Sequence, residues 1–166
     1  MNYKIRKATG KDNRGVRAIV NYFIRHSLSY YAGKRIPSCK GCIKYIKTTF
    51  GNSIYVVENE GKEIVGYGRL ERPHGNERSA LDRVAELCYF ILPIHTGKGV
   101  GTRLLKVLKK DAKNLGIKTL LAHICSLNTQ SLSFHKKNGF AEVGRISFPT
   151  RKNGKVFDVV WMRRFI

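Results

Sequence analysis

With 166 residues, 42% of them hydrophobic and 26% charged, the chain has the size and composition of one globular domain with a real core, which excludes a disordered or fibrous protein. No run of about 18 apolar residues occurs, which excludes a membrane-spanning helix. The formal net charge of +21 calls for an anionic partner, either nucleic acid or a phosphate-bearing cofactor drawn in by the field.

The first residues, Met1 to Lys7, pass into strand-like alternation without a signal-peptide core, so a cytoplasmic protein is expected. Thr9-x-x-Asp12 reads as a capping box. Val16, Ile19, Val20, Phe23 and Ile24 follow at the spacing of one apolar helix face. Residues 28–37 read as a connection, and a weaker helix is expected over Cys39–Thr49. Ser53–Asn59 and Glu63–Arg72 form a hairpin turning at Glu60-Gly61, followed by a polar loop over residues 73–82. Val84–Leu92 reads as a buried strand. Leu104, Leu105, Leu108, Ala112 and Leu115 mark the core face of a helix closed by Gly116, with Lys106, Lys109, Lys110 and Lys113 on its solvated side. Thr119–Cys125 is a further apolar strand, and a helix from Asn128 to Asn138 stops at Gly139. Ala141–Phe148 and Val156–Phe165 close the chain as a hairpin across Asn153-Gly154. The order β-α-α-β-β-β-α-β-α-β-β implies one domain over 1–166, an α/β mixed sheet with some parallel pairing.

Ile91–Leu105 organises the rest: a strand runs into a turn bearing Gly97, Gly99 and Gly101, and the turn opens onto a helix. Glycine permits left-handed dihedrals, and the first helical turn presents unpartnered N–H groups at its positive end, so the stretch suits a phosphate. A plain glycine-rich connection is the other reading of the same spacing. It is not a P-loop, because no glycine lies five residues before Gly97 and Gly99 stands where Ser or Thr is required. Nor is it a dinucleotide fingerprint, whose third glycine would fall on Thr102 or Leu104.

Glu86 interrupts a strand that is otherwise apolar on both faces, where a carboxylate is costly unless paired, hydrated or used. Desolvation suits it to act as a general base; the alternative is an exposed carboxylate or one paired with Arg83 or Arg78. His135 offers proton transfer near neutral pH, or a structural role. His95 adjoins the glycine turn, whereas His74 and His123 give no signal. Cys39 and Cys42 have zinc-ligand spacing without a second pair, so no metal is expected. Cys88 and Cys125 lie in apolar strands with no activating base beside them, and are read as core residues.

Thr96-Gly97-Lys98-Gly99-Val100-Gly101 resembles the acetyl-CoA loop of the GNAT N-acetyltransferases, Q/R-x-x-G-x-G/A, with Thr96 in place of Gln or Arg. Arg78-Ser79-Ala80, Glu86 through Pro93, Asn128-x-x-Ser131, His135 through Phe140 and Asp158-Val159 are similar to the phosphinothricin N-acetyltransferase branch of that superfamily. The resemblance implies a mostly antiparallel twisted sheet whose central parallel strands splay. It implies that Thr96, Gly97, Lys98, Gly99, Val100, Gly101 and Thr102 hold the CoA pyrophosphate through main-chain groups. Tyr89, Phe90 and Ile91 would pair with pantetheine through their backbone, and Asn128 would hydrogen-bond the cofactor arm. Glu86 would be the general base and His135 the acid that protonates the thiolate. Arg78 would grip a substrate carboxylate or phosphinate; a loop arginine facing water is the alternative. Leu81 and Asn76 depart from the branch pattern, so the acceptor is expected to be a small amino-acid-like amine, attacked directly in a ternary complex. Relatives in the branch are commonly dimers, so a homodimer is expected. A basic nucleic-acid- or ribosome-associated module on the same fold, or a peptide N-acetyltransferase, is the competing reading.

Overall fold

The computed structural model describes residues 2–30, 53–73 and 81–166, with the backbone alone for 148–150. The helix expected over Cys39–Thr49, the Cys39/Cys42 pair and Arg78 lie outside these residues. The described elements are β1 (Lys4–Lys7), α1 (Asn13–His26), β2 (Ile54–Glu58), β3 (Ile64–Glu71), β4 (Val84–Ile91), α2 (Val100–Asn114), β5 (Thr119–Cys125), α3 (Thr129–Lys137), β6 (Ala141–Lys152) and β7 (Lys155–Phe165). Their seven strands form one sheet in the order β1-β2-β3-β4-β5-β7-β6.

All pairings are antiparallel except β4 with β5. That parallel pairing covers only Val84↔Thr119, Ala85↔Leu120 and Glu86↔Leu121, although β4 runs on to Ile91 and β5 to Cys125. Past Glu86 the two strands part. Each keeps its outer neighbour: β4 stays paired with β3 up to Gly66↔Ile91, and β5 with β7 up to Cys125↔Val159. The sheet therefore carries a wedge-shaped opening in its middle, while its two halves stay hydrogen-bonded.

The two faces of the sheet are covered differently. Val16, Ile19, Val20 and Ile24 of α1 pack on Ile54, Val56 and Tyr67. On the opposite face Leu104, Leu105, Leu108 and Ala112 of α2 pack on Val57, Leu70, Ala85, Leu87 and Leu120. Full burial of each valine, leucine or isoleucine among them contributes about 1.5–3 kcal/mol, enough for these two stripes to dictate which face each helix takes. Leu115, expected on the core face, is exposed instead, because α2 ends at Asn114 and the chain leaves the helix there. Gly116 and Gly139 take the left-handed conformation that ends α2 and α3. The final hairpin turns through Asn153 and Gly154, both at positive φ. Lys152 beside that turn donates its Nζ to the Tyr30 carbonyl, pinning the hairpin to the chain that leaves α1.

Near the N-terminus the Asp12 carboxylate accepts from the Thr9 N–H and hydroxyl. Arg6 forks between Asp12 and Glu58, at 2.7 and 2.8 Å, which ties β1, the turn before α1 and β2 together. Hydrogen bonding to Arg6 holds the Asp12 carboxyl below the usual carboxylate range.

Candidate active site

The opening between β4 and β5 is continuous with two adjoining cavities of about 230 and 320 Å³, which share Ser29, Tyr89, Phe90, Asn128 and Ser131 in their walls. The larger ends at the glycine turn and is bordered by Ile91, Thr96, Gly97, Gly99, Gly101 and Thr102. The smaller is bordered by Glu71, Glu86, Cys88, His123 and His135. The loop and both predicted proton-transfer residues thus meet in one groove, although Glu86 and His135 are 49 positions apart.

Gly97 and Gly99 both have φ near +73°, and a Cβ at either would meet nothing within 4 Å. Their requirement is the left-handed backbone, not room. Gly101 is a matter of room: its Cβ would stand 3.2 Å from the Phe134 ring. Gly99 caps α2, so the first-turn amides at Val100, Gly101 and Thr102 emerge at the groove with the positive end of the helix dipole. Lys98 turns its Nζ back onto the Ile94 carbonyl, and the Thr96 hydroxyl donates to the Pro93 carbonyl. His95 is buried, its Nδ1 3.0 Å from the Tyr3 hydroxyl, and so braces the turn from behind.

Main-chain alternation decides which β4 peptide groups reach the opening. Leu92 N–H donates to the Val65 carbonyl of the β3 side, and the Arg83 carbonyl accepts from Thr119 on the β5 side. Peptide groups alternate along a strand, so those of Leu87, Tyr89 and Ile91 face the opening and those of Phe90 face β3. Phe90 meets the groove with its ring instead, packed on Phe23, Tyr30 and Tyr67 at centroid distances of 4.8, 5.4 and 5.7 Å.

Glu86 is the last residue of β4 paired with β5, so its carboxylate stands where the strands begin to part. Its side chain is 21% exposed, and Oε2 lies 3.9 Å from His123 Nδ1. The His123 ring packs in turn against Trp161, tilted by 41° with centroids 3.9 Å apart. Directly across the β3–β4 ladder stands Glu71, a second carboxylate bordering the same cavity and ion-paired with Arg69. Burial pushes the Glu71 carboxyl up, with the Arg69 guanidinium opposing. Burial also pushes up the thiols of Cys88 and Cys125, which keeps both protonated and poorly nucleophilic.

His135 is only 3% exposed. Its Nδ1 lies 2.7 Å from the Ser131 carbonyl and its Nε2 2.9 Å from the Tyr89 hydroxyl. Burial lowers its pKa and keeps the ring neutral at pH 7, against the weaker opposing effect of the Ser131 carbonyl. Asn128 caps α3 by accepting from Ser131 N–H, and donates its amide to the Ser29 hydroxyl at 2.7 Å.

Reading the sequence missed Glu71, His123 and the Tyr89 hydroxyl. Glu71 shares a face with Arg69 by alternation along β3, but its position opposite Glu86 is set by the β3–β4 register, which no local pattern records. The side-chain partnership of Tyr89 with His135 spans 46 positions and carries no local signal.

A family model described as "Acetyltransferase (GNAT) family" matches residues 25–140. Among curated relatives, "Putative phosphinothricin acetyltransferase YwnH" of Bacillus subtilis (strain 168) is 35% identical over 111 residues, 67% of this chain and 67% of that protein. "L-amino acid N-acyltransferase MnaT" of Escherichia coli (strain K12) is 24% identical over 161 residues, 96% of this chain and 91% of that one. Among solved structures, a phosphinothricin acetyltransferase from Sinorhizobium meliloti in complex with AcCoA superposes with a TM-score of 0.90 at 24% identity, covering 100% of this chain and 89% of that one.

Proposed function

The chain belongs to the acetyltransferase (GNAT) family, and from that premise we propose that its groove brings acetyl-CoA and a small amino-acid-like amine together for direct acetyl transfer. Acetyl-CoA-dependent N-acetylation is the activity of this family. The observation that carries the reading to a site is the parting of β4 from β5 just past Glu86, with the glycine turn at the far end of the same groove.

The residues fit the cofactor. Left-handed Gly97 and Gly99 and the first-turn amides of α2 make an anion cradle for the pyrophosphate, over Thr96 to Thr102. The peptide groups of Tyr89 and Ile91 would hydrogen-bond the pantetheine arm as a third strand between β4 and β5, with Phe90 and Asn128 walling it. Acetyl-CoA supplies the activated acyl group. A main-chain N–H in the opening polarises the acyl carbonyl. Glu86 takes the proton from the acceptor ammonium, and His135 is the candidate for returning one to the departing sulfur. Raised thiol pKa values at Cys88 and Cys125 speak against an acyl-enzyme and for direct attack.

The acceptor end, about 230 Å³, suits a small molecule better than a peptide or a nucleic acid. Relatives named for phosphinothricin and for L-amino acids favour an acceptor with an α-amino group and an acidic group. Arg78 is proposed to grip that acidic group. A cytoplasmic homodimer of single-domain chains completes the reading. Among the described residues no helix is long and apolar enough to cross a membrane, and the last hairpin exposes Val143 and Val156. Light scattering tests the dimer. Calorimetry with acetyl-CoA, followed by thiol release with a panel of amino acids, polyamines and peptides, tests the function. Binding followed by turnover with an amino-acid-like amine is expected; absence of binding at high micromolar ligand and low salt would overturn the proposal.

A further inference from the structure

Resting on the acetyl-transfer reading, we infer that Tyr89 and His135 form a two-membered proton shuttle. In it the Tyr89 hydroxyl, not the imidazole, touches the reacting atoms, and His135 acts through it.

The argument is directional. A carbonyl oxygen only accepts, so the 2.7 Å contact with Ser131 O requires the hydrogen of neutral His135 to sit on Nδ1. Nε2 is then bare and only accepts, so the 2.9 Å bond to Tyr89 has the phenol O–H donating to the ring. That bond is the only one the hydroxyl makes among the described residues, which leaves its oxygen lone pairs unused. Tyr89 borders both cavities, at the junction of the cofactor and acceptor ends of the groove. His135 borders only the acceptor cavity and is 3% exposed. Packing locks the pair: the Tyr89 ring lies 5.9 Å from Phe134, and the His135 ring 5.1 Å from Phe140.

Such a pair moves a proton both ways without leaving a charged phenolate. Glu86 has taken the first ammonium proton before attack. The amine nitrogen then bonds to the acetyl carbon still carrying one proton more than the amide keeps. That proton passes to the Tyr89 oxygen while the phenol proton passes to His135 Nε2, leaving neutral Tyr89 and an imidazolium. When the C–S bond breaks, its electron pair stays on sulfur. His135 Nε2–H returns its proton to Tyr89, and the Tyr89 O–H protonates the sulfur. One proton has crossed from nitrogen to sulfur, and the Glu86 proton goes to water. Burial, which lowers the His135 pKa, keeps the acceptor nitrogen free at the start and the imidazolium ready to give its proton back.

The test pairs kinetics with spectroscopy. Tyr89→Phe keeps the ring and its packing; it is expected to lower kcat roughly 100-fold with the KM for acetyl-CoA within about twofold. His135→Gln is expected to match it, and the double variant to be no slower than either single one, because both break one relay. Full kcat in Tyr89→Phe, or losses that multiply in the double variant, would overturn the shuttle. Independently of turnover, the ¹⁵N signals of His135 in the ligand-free protein should show hydrogen on Nδ1 and a bare Nε2, and Tyr89→Phe should move Nε2 toward the free-imidazole position. Hydrogen on Nε2 in the neutral ring would also overturn it. If the unaltered protein turned over no amine, the acetyl-transfer reading would fail, while the ¹⁵N result would still judge the pair.

Discussion

In the proposed reaction, the base is a carboxylate at the point where two parallel strands separate. Glu86→Gln keeps shape and hydrogen bonding but removes the base, so turnover at neutral pH is expected to fall by about 10²–10⁴-fold with acetyl-CoA binding unchanged, measured by thiol release and calorimetry. Unchanged turnover would remove Glu86 from the mechanism. A different carboxylate governs stability. Asp12, 5% exposed and bonded to Arg6, has a lowered pKa, so its contribution is fully present above the unfolded-chain value near 4 and is lost as pH falls through the lower folded value. Asp12→Asn is expected to cost about 1–3 kcal/mol at pH 7 in urea unfolding, the difference from the unaltered protein shrinking below about pH 4. Glu86 was legible in the sequence because a lone acid in an apolar strand is costly. Its neighbours Glu71 and His123 were not, since only the sheet register brings them to it.

The ten strands and helices named above were all expected, most clearly where an apolar stripe is buried at period 2 or 3.6, as in α1, α2 and β5; α3 buries only His135, and β6 buries no residue over 141–147. The ends were less legible. Leu115 fits the helical stripe of α2 by spacing, yet lies beyond its last turn and faces water. Nothing local says where β4 and β5 part, since both strands stay apolar past that point and only the three-residue ladder records it. The glycine turn could be read at both levels, and it offers a clean test. Gly99→Ala adds no clash but forces a side chain into the left-handed region at the N-cap of α2, at about 1–2 kcal/mol. Acetyl-CoA affinity is expected to fall about tenfold in calorimetry with the fold intact by circular dichroism. Gly101→Ala acts by a different route: its Cβ would press on Phe134, so it should also lower thermal stability. Equal behaviour of the two variants would contradict this division of roles.

At the scale of the whole molecule, the +21 charge is the feature the fold does not explain, because no element needs it to pack. An anionic cofactor gives it a use through long-range attraction. Acetyl-CoA binding is therefore expected to weaken several-fold between about 50 and 200 mM salt, chiefly through slower association, as stopped-flow measurements would show. RNA binding that survives such salt would instead return weight to a nucleic-acid role. The central claim is more local, that the cofactor arm lies along β4 and its phosphates on the glycine turn. Amide hydrogen exchange followed residue by residue, with and without acetyl-CoA, tests it most directly. Protection is predicted at Tyr89, Ile91 and the amides from Gly97 to Thr102, with little change at Phe90, whose N–H is already turned to β3. Protection confined to other parts of the chain, or none on saturation, would contradict the account.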